Sequence, residues 1–341
     1  MPLFPSKLSM ARIPTPIEPL ARLGAEWGVD LCVKRDDLTG CALSGNKIRK
    51  LDYLLAEALR QGCDTVVTCG ATTSNHARAT VLAARQLGLD SVLVLTGQPP
   101  AVAHGNLQLD LLAGAEVRYV PWETYATTID THIYTVGDEL AAQGKKPYMI
   151  PTGGSNALGL LGYFDAVAEM KAQWEESGWT PDWIVCAVGS GGTFAGLYAG
   201  GQWNQLPCRV LGVLVCATVE HFTHKIQQDL QNAERQFGLR LEPWPLHLTG
   251  EYIAGGYAKT DSAQLALLRH VAQREGLILE PVYTGKAFYG LYQEIQAGRI
   301  VPGAKVLFIH TGGLLGLSAF TETMMSEWPS LSHWPDRMKR E

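Results

Sequence analysis

Apolar positions along this chain alternate between two rhythms. Short β-branched runs at residues 65–68, 91–95, 116–120 and 147–150 predict strands. Between them, apolar residues recur at helical spacing over 77–87, 107–113 and 132–143. A long amphipathic stretch, 160–174, leads into a second series. That series predicts strands at 183–188, 209–215 and 305–310 and helices at 195–199, 223–237 and 261–275. Repeated β-α-β order implies α/β architecture, with mainly parallel open sheets covered by helices. Two such series imply two units with a cleft between them, and open α/β sheets bind ligands at the carboxyl ends of their strands. Residues 202–207 and 243–245 read as surface loops, and the polar tail after Trp328 as peripheral.

Composition narrows the classes. The chain has 341 residues, 46% of them hydrophobic and 18% charged, enough apolar material for a large core. A net charge of −5 without a basic run argues against nucleic acid or an anionic membrane as partner. No apolar stretch reaches spanning length or carries signal-peptide flanks, so a cytoplasmic protein is expected. Seven cysteines without a C-x-x-C pair read as free thiols in a reducing compartment rather than as disulfides or a metal site.

Candidate chemistry lies in the loops. Ser44-Gly45-Asn46-Lys47-Ile48-Arg49 precedes an apolar-periodic run at 51–59, which puts Lys47 at a helix entrance, where free N–H groups favour anions. Cys69-Gly70-Ala71-Thr72-Thr73-Ser74-Asn75-His76 follows a strand and ends in N-cap types. Gly189-Ser190-Gly191-Gly192-Thr193 follows another strand and suits a phosphate, whereas a dinucleotide fingerprint would need glycine in place of Phe194. Glu280-Pro281-Val282-Tyr283-Thr284-Gly285-Lys286 alone reads as a turn with an exposed tyrosine, and His310-Thr311-Gly312-Gly313 as a glycine turn. An amine, a phosphate cradle, an amide and sheet-end hydroxyls together suggest pyridoxal phosphate.

At this point the chain resembles the D-cysteine desulfhydrase and 1-aminocyclopropane-1-carboxylate deaminase group of pyridoxal-phosphate enzymes, in the tryptophan-synthase-β fold type. The resemblance runs from about Arg12 to Ala319. It rests on Lys34-Arg35-Asp36-Asp37, Gly45-Asn46-Lys47-x-Arg49-Lys50-Leu51, Ser74-Asn75-His76, Gly153-Gly154-Ser155-Asn156, the 189–193 loop, Pro281-Val282-Tyr283 and His310-Thr311-Gly312-Gly313. It implies that Lys47 carries the cofactor, Lys50 and Gly189, Ser190, Gly191, Gly192 and Thr193 hold its phosphate, Asn75 meets its ring oxygen, and Thr311 faces its ring nitrogen. Ser74 and Tyr283 would sit at the substrate, bonding its carboxylate or handling protons beside Lys47, with Asn75, His76, Ser155, Tyr257 and Thr284 completing the substrate side. It also implies a homodimer, a large domain of residues 1–50 and 162–341, and a small domain of 51–161.

The deaminase branch has glutamate after the loop tyrosine and leucine in place of Thr311. Thr284 and Thr311 resemble the desulfhydrase branch, which implies β-elimination of a small β-substituted amino acid such as D-cysteine. Thr73 and Ala79 stand where many relatives have glutamine, which puts the substrate end in question and keeps cysteate elimination open beside cyclopropane deamination. From other classes come a nucleotide-binding α/β protein and a non-catalytic pyridoxal-phosphate carrier.

Overall fold

Runs buried on both faces build parallel sheets, and the long apolar strands of this chain form two of them. The computed structural model describes residues 4–243 and 245–328, with the side chains of 124–127 also left aside. Trp244 and the tail beyond Trp328, expected as loop and periphery, lie outside the described residues. Strand β1 (Ile17–Pro19), helix α1 (Ala21–Trp27), strand β2 (Asp30–Lys34) and helix α2 (Lys47–Arg60) open the chain. Then come β3 (Thr65–Ala71), α3 (Asn75–Gln86), β4 (Asp90–Thr96), α4 (Gly105–Leu112), β5 (Glu116–Val120), α5 (Trp122–Ala142) and β6 (Pro147–Met149). The remainder is α6 (Leu161–Ser177), β7 (Trp183–Val188), α7 (Gly192–Trp203), β8 (Arg209–Leu214), α8 (Val219–Phe237), β9 (His247–Thr249), α9 (Ser262–Glu275), α10 (Thr284–Gln296), β10 (Lys305–Ile309) and α11 (Thr321–Glu327).

One sheet has the order β1-β2-β10-β7-β8-β9, the other β5-β4-β3-β6. Every pairing is parallel except β1 with β2. Alternation along β7 shows how the larger sheet is covered. Ile184, Cys186 and Val188 pack with residues of α6, α7 and α8, while Val185 and Ala187 pack with α1, α9 and α10. The smaller sheet repeats the logic: Val66 packs toward α2 and α3, and Val67 and Cys69 toward α5. The α/β class and the two-sheet plan agree with the expectation.

Several elements lie outside the expected set: β1, α1, β2, β9, α10 and α11. Helix α10 is the instructive one. Its Gly285 and Gly290 look like breakers in the sequence but serve close packing. A Cβ at 285 would lie 2.7 Å from Leu268, and one at 290 would lie 2.7 Å from Val213. Helix α5 begins ten residues before the expected start at 132. Residues 50 and 51 both lie inside α2, so the boundary expected there divides a continuous helix. No helix among the described residues is long and apolar enough to cross a membrane.

Candidate active site

Four loops at strand carboxyl ends converge, those after β3 and β6 from one sheet and those after β7 and β10 from the other. Lys47 is the first residue of α2, and its Nζ donates to Gly153 O at 3.4 Å. Part of the side chain stays open to solvent, yet burial of the amine pushes it down to about 8. The start of α2 is fixed to the last loop, because Asn46 N donates to Thr311 O at 3.1 Å. A Cβ at Gly45, whose φ is 94°, would lie 2.8 Å from that same carbonyl.

Lys50 lies one turn on, on the same side of α2. Its buried Nζ donates to Gly153 O at 3.2 Å and Ser155 Oγ at 3.0 Å. Burial, and then the neighbouring Lys47, hold it well below the ordinary lysine range. Ser155 Oγ also accepts from Gly192 N at 3.1 Å and lies 2.9 Å from Ser190 Oγ. Asn46 Nδ2 donates to Thr193 Oγ1 at 2.9 Å, tying the α7 entrance to the α2 entrance. A Cβ at Gly192 would lie 2.6 Å from Ser155 Oγ and 2.8 Å from Lys50 Nζ, so any side chain there would fill the cradle. Two amines, a helix N-terminus and hydroxyls meet here, a donor set that fits a phosphate group. Behind it, Lys225 of α8 donates to Ser155 O at 3.2 Å and pairs with Asp229.

Asn75 begins α3, and Asn106 Nδ2 donates to its Oδ1 at 2.9 Å. That contact leaves the Asn75 amide nitrogen as a donor, and it lies 3.3 Å from a Cβ built on Gly313. Ser74 caps α3, its Oγ accepting from Ala77 N at 3.1 Å while its own proton stays available. The same virtual Cβ of Gly313 lies 2.3 Å from Glu280 Cγ, so Asn75, Glu280 and the Thr311 loop share one wall. The Glu280 carboxylate accepts from the main-chain amides of Val282, Tyr283 and Thr284 at 2.7, 2.7 and 2.8 Å. Burial nevertheless pushes it up to about 7.

Tyr283 is half-buried rather than exposed, and its OH lies 2.8 Å from Tyr257 OH. Burial raises both phenols, Tyr257 to about 12, so both keep their protons at neutral pH. The Thr73 side chain lies beside the Tyr257 hydroxyl, and Trp122 stacks on the Tyr257 ring at 6.1 Å. A Cβ at Gly189 would lie 2.7 Å from the Tyr283 ring, which brings the phenols up against the glycine loop.

Four expectations on the substrate side change. Ser155 joins Lys50 and Gly192 in the cradle instead. Thr284 is fully buried and its Oγ1 accepts from Glu280 N at 2.9 Å, so it closes a cap with Glu280 instead of lining a pocket. His76 is buried, with Nε2 2.9 Å from Thr68 Oγ1. Thr68 spends its proton on Ile150 O, so His76 Nε2 is the donor and the ring braces the sheet. Ala79 is fully buried and packs in an apolar cluster with Leu51, Leu54 and Val66. Sequence reasoning passed over Asn46, Asn106, Glu280 and Lys225. Only Asn46 left a signal, as a fixed neighbour of Lys47.

A cavity of about 640 Å³ lies elsewhere, bounded by Trp183, His247, Thr249, Glu294 and Arg299. Its charged groups answer one another, Arg299 bonding both Glu294 and Glu251. The pyridoxal-phosphate dependent enzyme family matches residues 8–312. The chain belongs to that family. Its cofactor is pyridoxal phosphate, and the enzyme is a lyase of the group that contains aminocyclopropane-carboxylate deaminases and D-cysteine desulfhydrases. A Thermotoga maritima protein named "Putative 1-aminocyclopropane-1-carboxylate deaminase" is 45% identical over 92% of this chain and 98% of its own. The mitochondrial bifunctional D-cysteine desulfhydrase/1-aminocyclopropane-1-carboxylate deaminase of Arabidopsis thaliana is 40% identical over 95% of this chain and 82% of its own. The crystal structure of an ACC deaminase homologue superposes with a TM-score of 0.88 at 41% identity, covering 95% of this chain and 97% of that one.

Proposed function

We propose that this lyase performs β-elimination on a small β-substituted amino acid, foremost D-cysteine, which with water gives pyruvate, hydrogen sulfide and ammonia. One observation carries the reading. The loop expected to face the cofactor's ring nitrogen offers the Thr311 hydroxyl, while the carboxylate bordering that loop, Glu280, is taken up by three main-chain amides. When bound, pyridoxal phosphate supplies a sink for the electron pair left at the α-carbon, and a hydroxyl partner suits the brief charge of an elimination better than the opening of a strained ring.

The chain's own groups suit this task. Lys47 would hold the cofactor and take the α-proton, its amine brought close to neutral pH by burial. Lys50, Ser155, Gly192 and the α7 entrance would hold the phosphate, and Asn75 Nδ2 the ring oxygen. Ser74 Oγ–H at the α3 entrance would bind the substrate carboxylate. The protonated pair Tyr257 and Tyr283 would hand a proton to the departing sulfur. The reading includes a homodimer in the cytoplasm, which seven free thiols suit, and a division into residues 51–161 and the rest, which the two sheets suit.

The relatives named for cyclopropane deamination support a second reading at the same site. A panel of D-cysteine, L-cysteine, β-chloroalanine, cysteate and aminocyclopropane-carboxylate, with the oxo acid measured for each, separates them. Pyruvate from D-cysteine with little four-carbon oxo acid from the cyclopropane is expected. The reverse ranking would replace elimination by ring opening, and turnover of none would leave a cofactor carrier.

A further inference from the structure

Tyr257 sits on a segment with an unusual backbone. Ala254 (φ 52°), Gly255 (82°), Gly256 (129°) and Ala258 (56°) all adopt left-handed values. For alanine that conformation is unfavourable by about 1–2 kcal/mol and persists only where surroundings impose it. Lys286 is the surrounding group that reaches it. Its Nζ donates to Ile253 O at 2.7 Å, Gly256 O at 2.6 Å and Val215 O at 3.2 Å. The side chain is fully buried, and main-chain carbonyls rather than a carboxylate answer its charge.

Lys286 lies in the first turn of α10, three residues after Tyr283. One helix start therefore carries a phenol and the clamp on the loop that carries its partner phenol. The amine also grips Val215, the residue directly after β8, so the loop is referenced to the sheet as well as to the helix. A buried amine is a poor way to gain stability, since burial penalises its charge and pushes it down to about 8. What three carbonyls from two segments gain is position.

We propose that Lys286 is a positioning residue that fixes residues 253–256 and so sets the Tyr257 hydroxyl against Tyr283 and Thr73, aligning the phenol pair on the substrate. This rests on the roles given above to Tyr257 and Tyr283. Misalignment of a reacting group by an ångström can cost about 100-fold in rate, so Lys286→Met should lower kcat by roughly 10- to 100-fold while KM moves less.

The test uses holoenzyme and D-cysteine. Lys286→Met should keep the cofactor's absorbance, lower kcat, and speed amide hydrogen exchange in the 250–260 peptide relative to wild type. In a Tyr257→Phe background the same substitution should cost less than about 2-fold, because the two act through one group. Lys286→Gln, which keeps N–H donors on a shorter arm, should show the same pattern at smaller amplitude, and it carries the test if the methionine variant does not fold. Multiplicative losses in the double variant, or unchanged exchange at 250–260, would overturn the proposal. If wild type proves inactive on D-cysteine, the substrate reading fails by itself, and the exchange comparison still decides the role of Lys286.

Discussion

Two regions on opposite sides of α2 treat buried cations in opposite ways. Arg49 points into a network where its guanidinium meets Asp36 at 2.8 Å and Glu169 at 2.8 Å. Lys34 joins the same Glu169, and Thr15 and Gln173 fill the remaining positions. Burial alone would raise the Asp36 carboxyl, but Arg49, Tyr163 and Lys34 hold it below its ordinary value. Two cations face two carboxylates, and the charge closes within the protein. Lys47 and Lys50, within a turn of Arg49, meet only carbonyl and hydroxyl oxygens. Their charge is left open within the protein, and a bound phosphate would close that of Lys50. Around α2, a buried cation with carboxylate partners belongs to the structural network, and one without them leaves charge that a ligand could meet.

The largest expected effect lies on the open side. Lys47→Ala should lower pyruvate release from D-cysteine by roughly 1000-fold or more, since the attachment point and the base go together. Substantial residual elimination would remove Lys47 from the centre of the site. Next comes the closed side. Arg49→Met leaves two carboxylates facing one cation, and breaking a buried pair typically costs about 3–5 kcal/mol. Urea unfolding of the apoprotein should show that loss, and a change under about 1 kcal/mol would mean the network is solvated and the contrast false. Lys50→Met is the discriminating partner experiment. It should weaken cofactor affinity by roughly 10- to 100-fold, the worth of a charged hydrogen bond, yet leave the apoprotein as stable as before or more so. A destabilised apoprotein would show that Lys50 is structural.

Much of this contrast is visible in the sequence, for a geometric reason. Lys47 and Lys50 are three apart and share a helix face, while Arg49 is rotated to the other side. The glycine run before α7 likewise announces itself, since three glycines between a strand and a helix suit the close approach of an anion. What is hidden depends on turns that bring distant residues together. Ser155 reaches the cradle because Gly153 and Gly154 take φ values of 64° and 59°, which folds the loop back over Lys50. Glu280, next to a proline in a turn, gives no sign of its role until three amides of the α10 entrance are seen around it. That cap also alters a comparison made from motifs alone. Glutamate at Thr284 would break its bond to Glu280 N and set a second carboxylate beside the first, so Thr284→Glu tests packing as much as chemistry.

The smallest effect is a pair of pH slopes in the apoprotein, one from each region. Lys47 titrates at about 8 in the fold and near 10.4 when unfolded, so between those values the unfolded chain binds more protons than the folded one. Stability contributed by this group therefore rises as pH increases from about 8 to 10. Asp36 and Glu169 are held below their ordinary values, Arg49 offsetting burial in both. Their contribution is present above about pH 4–5 and is lost as pH falls through the folded values. Urea midpoints of wild-type apoprotein and Lys47→Met, followed from pH 7 to 10, isolate the first slope as a difference between the two proteins. The wild type should gain on the variant as pH rises, and loading the cofactor should abolish the gain because the amine is then engaged. A flat difference in the apoprotein would mean that the Lys47 amine is hydrated, and the open-charge side of α2 would then look no different from an ordinary helix entrance.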